Sequence, residues 1–239
     1  MTSRIRILGI ALALAGLAFI AAGGFAYFKS QEGAASLQAY SAEQNVKLSY
    51  DDEGVLGGDN PKEAAGIMAL LTKDWKYAVV KSDFDPNDPV VNTASEYMYQ
   101  MATINYHVLY GTQTVVLAKD AEAADGTIIP AGTYEFPVDG RYYADFNRAN
   151  PIEGAARGQA WSATALGLIA NLGVGTTTAS AIQLAMAVAG FFAAVGLIVL
   201  FAGVGLVWAS RAPIVAPAEA RSETFVSTPG VLPAPVSPR

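Results

Sequence analysis

The chain has no cysteine, which excludes disulfide frameworks, thiolate nucleophiles, Cys-ligated zinc and iron–sulfur clusters. It has one histidine, His107, so two-histidine metal motifs such as HExxH are excluded and a Ser-His-Asp triad has a single formal candidate. Charge is also scarce: 15% of the 239 residues are charged while 52% are hydrophobic, and 15 Lys+Arg against 21 Asp+Glu leave a net charge of −6. Nucleic-acid affinity comes largely from cations on phosphates, so this balance argues against DNA or RNA as a partner. No P-loop, nucleophile elbow or Rossmann glycine pattern occurs. The mean hydropathy of +0.31 points instead to a membrane protein.

Two long apolar runs are present. Ile7 to Phe28 is 22 residues without a charge, about 33 Å of helix against a hydrocarbon core of roughly 30 Å. Arg4 and Arg6 precede it and Ala21-Ala22-Gly23-Gly24 supplies small residues, so a cleaved signal peptide is the rival reading. The run is longer than the usual apolar region of a signal, and Phe25, Tyr27 and Phe28 read as an interfacial anchor, which favours a retained transmembrane helix over 7–28. A second span covers 181–208, inside a stretch from Gly158 to Ser210 without a charged residue, and Trp208 followed by Arg211 marks its exit. The terminal tails hold Arg4, Arg6, Arg211, Arg221 and Arg239 against Glu219 and Glu223, whereas 29–180 holds 10 Lys+Arg against 19 Asp+Glu. The positive-inside bias therefore predicts a plasma-membrane protein with both termini cytoplasmic and 29–180 outside. Neither span holds an ionisable residue, so an ion or proton path within them has no support. The tail 209–239 is rich in proline and alanine and is expected to be disordered.

Small residues recur along both spans. Gly9, Gly16 and Gly23 repeat every seven positions, and Ala185, Ala189 and Ala193 every four. Such rows let helix backbones approach closely, which is how apolar helices associate in lipid. Lipid and other membrane proteins, met through these helices and the outer domain, are the partners expected.

About 150 residues lie between the spans, enough for one compact domain. The stretch from Ser36 can continue the first helix outward. Asn60-Pro61 opens a short helix with Ala64, Ile67, Met68 and Leu71 at helical spacing up to Trp75. A phrase then recurs: Asp83-Phe84-Asp85-Pro86-Asn87-Asp88-Pro89 and Asp145-Phe146-Asn147-Arg148-Ala149-Asn150-Pro151 stand 62 residues apart, and each precedes a helical stretch reaching a glycine, Gly111 or Gly173. Asp88 and Asn150 read as N-caps, Pro89 and Pro151 as first helical residues, and the glycines as positive-φ helix ends, which predicts two related helical elements near 83–111 and 145–173. Val90, Ala94, Tyr97, Met98, Met101, Ile104 and Val108 mark the apolar face of the first, and Ala156, Ala160, Ala163, Leu166 and Ile169 that of the second. Between them, Thr112 to Ala118 and two short strands around Pro130-Ala131-Gly132 predict a small β-hairpin near 112–139. The fold class expected is mainly α: two transmembrane helices flanking a mostly helical extracytoplasmic domain with a small hairpin.

Candidate chemistry is sparse. Asp83, Asp85 and Asn87 have the oxygen spacing of an EF-hand's first half, with Asp88 as a further oxygen, but the sixth position is Asp88 instead of glycine and the twelfth is Ala94 instead of glutamate. Turn formation already accounts for these residues. His107 lies beside Tyr106 and Tyr110 on a helix and reads as a structural group; haem ligation with Met98 or Met101 has no supporting pattern. Asp51-Asp52-Glu53 and Gly57-Gly58-Asp59-Asn60 read as a solvated acidic loop. No cofactor is expected.

The run Ala102-x-Ile104-Asn105-x-His107-x-Leu109-x-Gly111, then Gly140-Arg141-Tyr142-Tyr143-Ala144-Asp145-Phe146 and the Asn150-Pro151 turn before a second span, resembles a group of actinobacterial two-span membrane proteins that carry an aromatic ring-opening dioxygenase label. Region 112–139 stands as an insertion relative to that pattern. The resemblance implies a host and a topology but no activity, because a non-haem iron site draws on several His and carboxylate ligands and this chain has one histidine. The expected function is a non-catalytic accessory or scaffold subunit of a cell-envelope complex, a respiratory assembly among the options; the alternative is an extracytoplasmic binding or sensor module for a cation or an envelope component.

Overall fold

The computed structural model describes residues 2–58 and 60–211. The tail from 212 onward, with its expected disorder, lies outside the described residues. The protein is mostly helical, and its architecture follows from two helices far longer than the apolar runs within them. Helix α1 spans Thr2–Gln44, 43 residues, and α5 spans Ala163–Ala209, 47 residues. At 1.5 Å per residue they measure about 65 and 70 Å. Both are long and apolar enough to cross a membrane, and each has a further half that projects beyond its apolar run. Neither contains proline, and their backbone bonds close locally, so nothing interrupts them. Helix α1 ends where Asn45 adopts a left-handed conformation with φ 51° while its N–H donates to Ser41 O at 3.0 Å.

The two helices pack along their length as an apolar stem that continues into a folded head. Helix α2, Pro61–Ala69, starts as the sequence indicates: Asn60 caps Glu63 N, and Pro61 occupies the first turn. It runs into a π turn, Leu70–Asp74. Neighbouring side chains on a helix point to different sides, so that Leu71 joins one core cluster with Ile67, Tyr97, Tyr99 and Ala102, and Leu70 joins another with Leu109, Val138, Phe146 and Trp161. Burying each leucine stabilises the fold by about 1.5–3 kcal/mol.

Helix α3 spans Ala94–Tyr110, and its cap is not the expected Asp88. Asp88 and Pro89 do not start it. Pro89 O accepts from Leu48 N at 2.8 Å, and Val91 N donates to Val46 O at 2.9 Å, so 89–91 is held extended against 46–48. Thr93 is the cap, in a reciprocal capping box with Glu96. The buried face of α3 matches the expected one at Ala94, Tyr97 and Val108 but is wider, taking in Tyr99, Ala102, Asn105 and Leu109, whereas Met98, Met101 and Ile104 are half-buried. Helix α3 ends before Gly111, but that residue has φ −82°, not the positive φ expected. Glycine is needed there for space, since a Cβ would lie 2.6 Å from His107 O.

Strands β1, Thr112–Leu117, β2, Ala121–Glu122, β3, Ile128–Ile129, and β4, Gly132–Pro137, follow. The segments around Pro130-Ala131-Gly132 do not pair with each other. Instead β1 pairs with β4 and β2 with β3, both antiparallel, which makes a long ribbon turned at Gly126, φ 82°. The second recurrent phrase behaves as read. Asn150 accepts from Ile152 N and Glu153 N, and Pro151 opens helix α4, Pro151–Ala160. The chain then breaks at Trp161, and Ser162 caps α5, so Gly173 is an interior residue of a long helix and not a helix end. The two phrases launch different structures, and the expected pair of related helical elements is not formed.

Candidate functional site

The stem is held by a row of small residues. An added Cβ at Gly9 would lie 2.7 Å from Gly203 O, at Gly16 2.5 Å from Leu200 N, and at Gly23 2.8 Å from Ala189 O. The facing row on α5 is Ala189, Gly196 and Gly203, all buried. It repeats every seven residues, not every four: Ala189 belongs to it, while Ala185 and Ala193 are half-buried at its flank. A seven-residue recurrence on both partners keeps one seam facing the other.

The α1 row continues as Ser30, which is 5% exposed, and then changes to the larger Leu37. At that height α3 inserts a side chain between the two long helices. The Tyr97 hydroxyl lies 2.6 Å from Ser41 Oγ, and its ring covers Gly175, where a Cβ would sit 2.6 Å from the ring. Tyr97 thus acts as a wedge. Beside it opens a cleft of about 480 Å³, walled by Gly33 to Val46 on one side and Leu168 to Thr178 on the other, and floored by Val91 and Tyr97. That volume lies in the range of about 300–1,000 Å³ typical of small-molecule sites. The lining includes no Asp, Glu, Lys, Arg or His. Its polar groups are neutral: Ser36, Tyr40, Gln44, Gln100, Asn171 and Thr178.

The other candidates lie elsewhere. In the turn 83–89, Asp85 Oδ1 accepts from Asn87 N at 2.8 Å and from Asn87 Nδ2 at 2.9 Å, and Asp88 Oδ2 accepts from Asn92 Nδ2 at 3.2 Å. The Asp85 and Asp88 carboxylates shape the turn, Asp83 Oδ2 is buried without a hydrogen-bond partner among the described residues, and among those residues no three His, Asp or Glu side chains converge as a metal site. Tyr50 lies nearby, its hydroxyl oxygen buried without a hydrogen-bond partner among the described residues. Burial, reinforced by Glu96, Asp85 and Asp88, pushes this hydroxyl up to about 12, and burial with Glu63 does the same for Tyr99. Both stay protonated at neutral pH and cannot serve as bases.

His107 Nε2 meets Glu63 Oε1, and the other carboxylate oxygen of Glu63 accepts from Asn60. The histidine therefore ties α3 to the cap of α2. Its side chain is 59% exposed, and an exposed ion pair contributes roughly 0–1 kcal/mol. His107→Ala should accordingly lower the thermal unfolding midpoint by less than about 4 °C; a larger fall would show that the contact carries more than a surface tie.

No protein family matches this chain, and no curated protein or solved structure does. Apart from Tyr97 on the apolar face of α3, no individual cleft residue carries a signal in the sequence. One signal was legible, the neutrality of 163–180, but which faces of that segment and of 33–46 meet is set by the Gly9-Gly16-Gly23 seam and by Tyr97.

Proposed function

We propose that this chain is a non-catalytic binding module anchored in the plasma membrane, with α1 and α5 crossing the bilayer, both termini in the cytoplasm and the head outside. The cleft carries the reading. It is large enough for a small molecule and lined by uncharged groups that can orient a ligand. The two apolar helices support the anchoring, and the acidic 29–180 segment between basic tails supports the orientation.

An accessory subunit of a larger envelope complex is the second reading, and it draws on other surfaces. Phe25, Phe191, Phe201 and Trp208 are each 65% exposed or more, and the ribbon is two-stranded, which leaves an outer edge on each of β1 and β4 for a partner strand. Two measurements separate these readings and check the topology. A glutamate-specific protease added to cells stripped of their outer layers should cut at the exposed Glu53 and spare a tag after Arg239; loss of the tag would overturn the orientation. Extracted in mild detergent, the full chain should run as a monomer or homo-oligomer on a native gel, whereas a stoichiometric complex with other proteins would transfer the function to the accessory reading.

A further inference from the structure

The cleft is continuous with the surface of the stem. Val174, at its lip on α5, is 64% exposed. Ala181 and Val188 follow at seven-residue intervals down the same side of the helix and are exposed as well. An uncharged strip therefore leads from the 181–208 span into the cleft. On α1 the first charges below Gly33 are Glu32 and Lys29, 2.7 Å apart in an ion pair, four residues and one residue past the apolar run 7–28. On the membrane-anchored reading, on which this inference rests, those charges mark the outer bilayer surface. The cleft starts there and rises by about 15 Å, the length of α5 from Leu168 to Thr178.

That placement and that lining select a ligand. The inner wall is alkyl and aromatic, with Leu37, Tyr97 and Leu172 along the path. A charged group drawn inside would lose its water and find no counter-ion among the lining residues. The hydroxyl and amide groups of Ser36, Asn171 and Thr178 can both donate to and accept from an uncharged polar head. We propose that the cleft receives a hydrocarbon chain of an outer-leaflet glycerolipid with an uncharged, hydroxyl-bearing head, which enters along the Val174 strip. The membrane, as the source of the ligand, sets its local concentration, and the head of the protein samples it without a soluble carrier.

The test uses the full chain in phosphatidylcholine vesicles containing a diacylglycerol with a photoactivatable diazirine at the end of one chain, with adducts mapped by mass spectrometry after irradiation. Adducts are expected on the stem and on the cleft segments 33–46 and 168–178. Val174→Trp combined with Leu168→Trp, at positions 64% and 48% exposed that accept larger side chains without entering the core, should reduce cleft adducts at least tenfold and leave stem adducts and the unfolding midpoint unchanged. A phosphatidic acid carrying the same diazirine chain should label the stem equally and the cleft at least tenfold less. Cleft labelling that is absent, insensitive to the tryptophans or equal for the anionic probe would overturn the proposal. Loss of stem labelling as well would show that the anchoring itself fails.

Discussion

Replacing Gly16 by leucine should lower the thermal unfolding midpoint of the full chain in detergent by roughly 5–10 °C, whereas the same change at Gly24 should leave it unaltered. At Gly16 a Cβ would stand 2.5 Å from Leu200 N and 2.7 Å from Gly196 O. Both obstacles are backbone, so no rotamer change relieves them and the helices must separate. At Gly24, only eight residues along, a Cβ meets nothing within 4 Å. Overpacking costs about 1–3 kcal/mol or more, and each kcal/mol shifts the midpoint by about 2–4 °C in a chain of this size. The sensitivity has a specific origin. Helices that are apolar on every side gain nothing by hiding apolar surface in apolar surroundings, so van der Waals contact between closely approaching backbones holds them together. Gly196→Leu should match Gly16→Leu, because its Cβ would meet Gly16 O at 2.8 Å. Equal midpoints for the Gly16 and Gly24 variants would show that the seam does not hold the stem.

Glu96→Ala should destabilise the head by about 2–4 kcal/mol, the sum of a lost cap, stranded donors and a small cavity. Glu96 is 1% exposed, and its Oε2 accepts from Asn92 N, Thr93 N and Thr93 Oγ1 at 2.9–3.0 Å. Burial raises this carboxyl above its ordinary value of 4.5, against the opposing pull of those hydrogen bonds. The sign of the pH dependence follows. Between 4.5 and the raised native value the folded chain binds more protons than the unfolded one, so the contribution of Glu96 to stability falls as pH rises through that window. Glu96→Gln keeps an acceptor and removes the charge. Its stability at neutral pH should equal or exceed that of the parent, and the difference between parent and variant should shift in the variant's favour as pH rises from 4.5. A difference moving the other way would reverse the assignment of burial as the dominant influence.

These two positions differ in how far sequence revealed them. Gly16 belongs to a seven-residue row visible in the sequence, whereas on α5 the four-residue alanine row shares only Ala189 with the buried Ala189, Gly196 and Gly203. The Thr93-x-x-Glu96 pair is a capping box in plain sight, but Asp88-Pro89 offers an equally good local start. The choice between them is made by a segment more than forty residues upstream, where 46–48 takes up the backbone groups of 89–91 and leaves no helix possible there. Asn150-Pro151 has the same local signal and no such competitor, so there the local reading holds. Likewise the β-branched strands around Pro130 were recognisable as strands, whereas their partners, β2 for β3 and β1 for β4, depend on where the ribbon turns.

The sequence by itself determined the two apolar helical runs, 7–28 and 181–208, and the acidic segment between them. A helix closes its hydrogen bonds within four residues, and an apolar run without proline carries all that is needed to form one. Tertiary structure alone decided the cleft. Its walls come from three distant parts of the chain, and the cavity exists because Tyr97 reaches Ser41, 56 positions away, and rests on Gly175. Contacts of that kind depend on how whole helices pack, and no local pattern of residues encodes them.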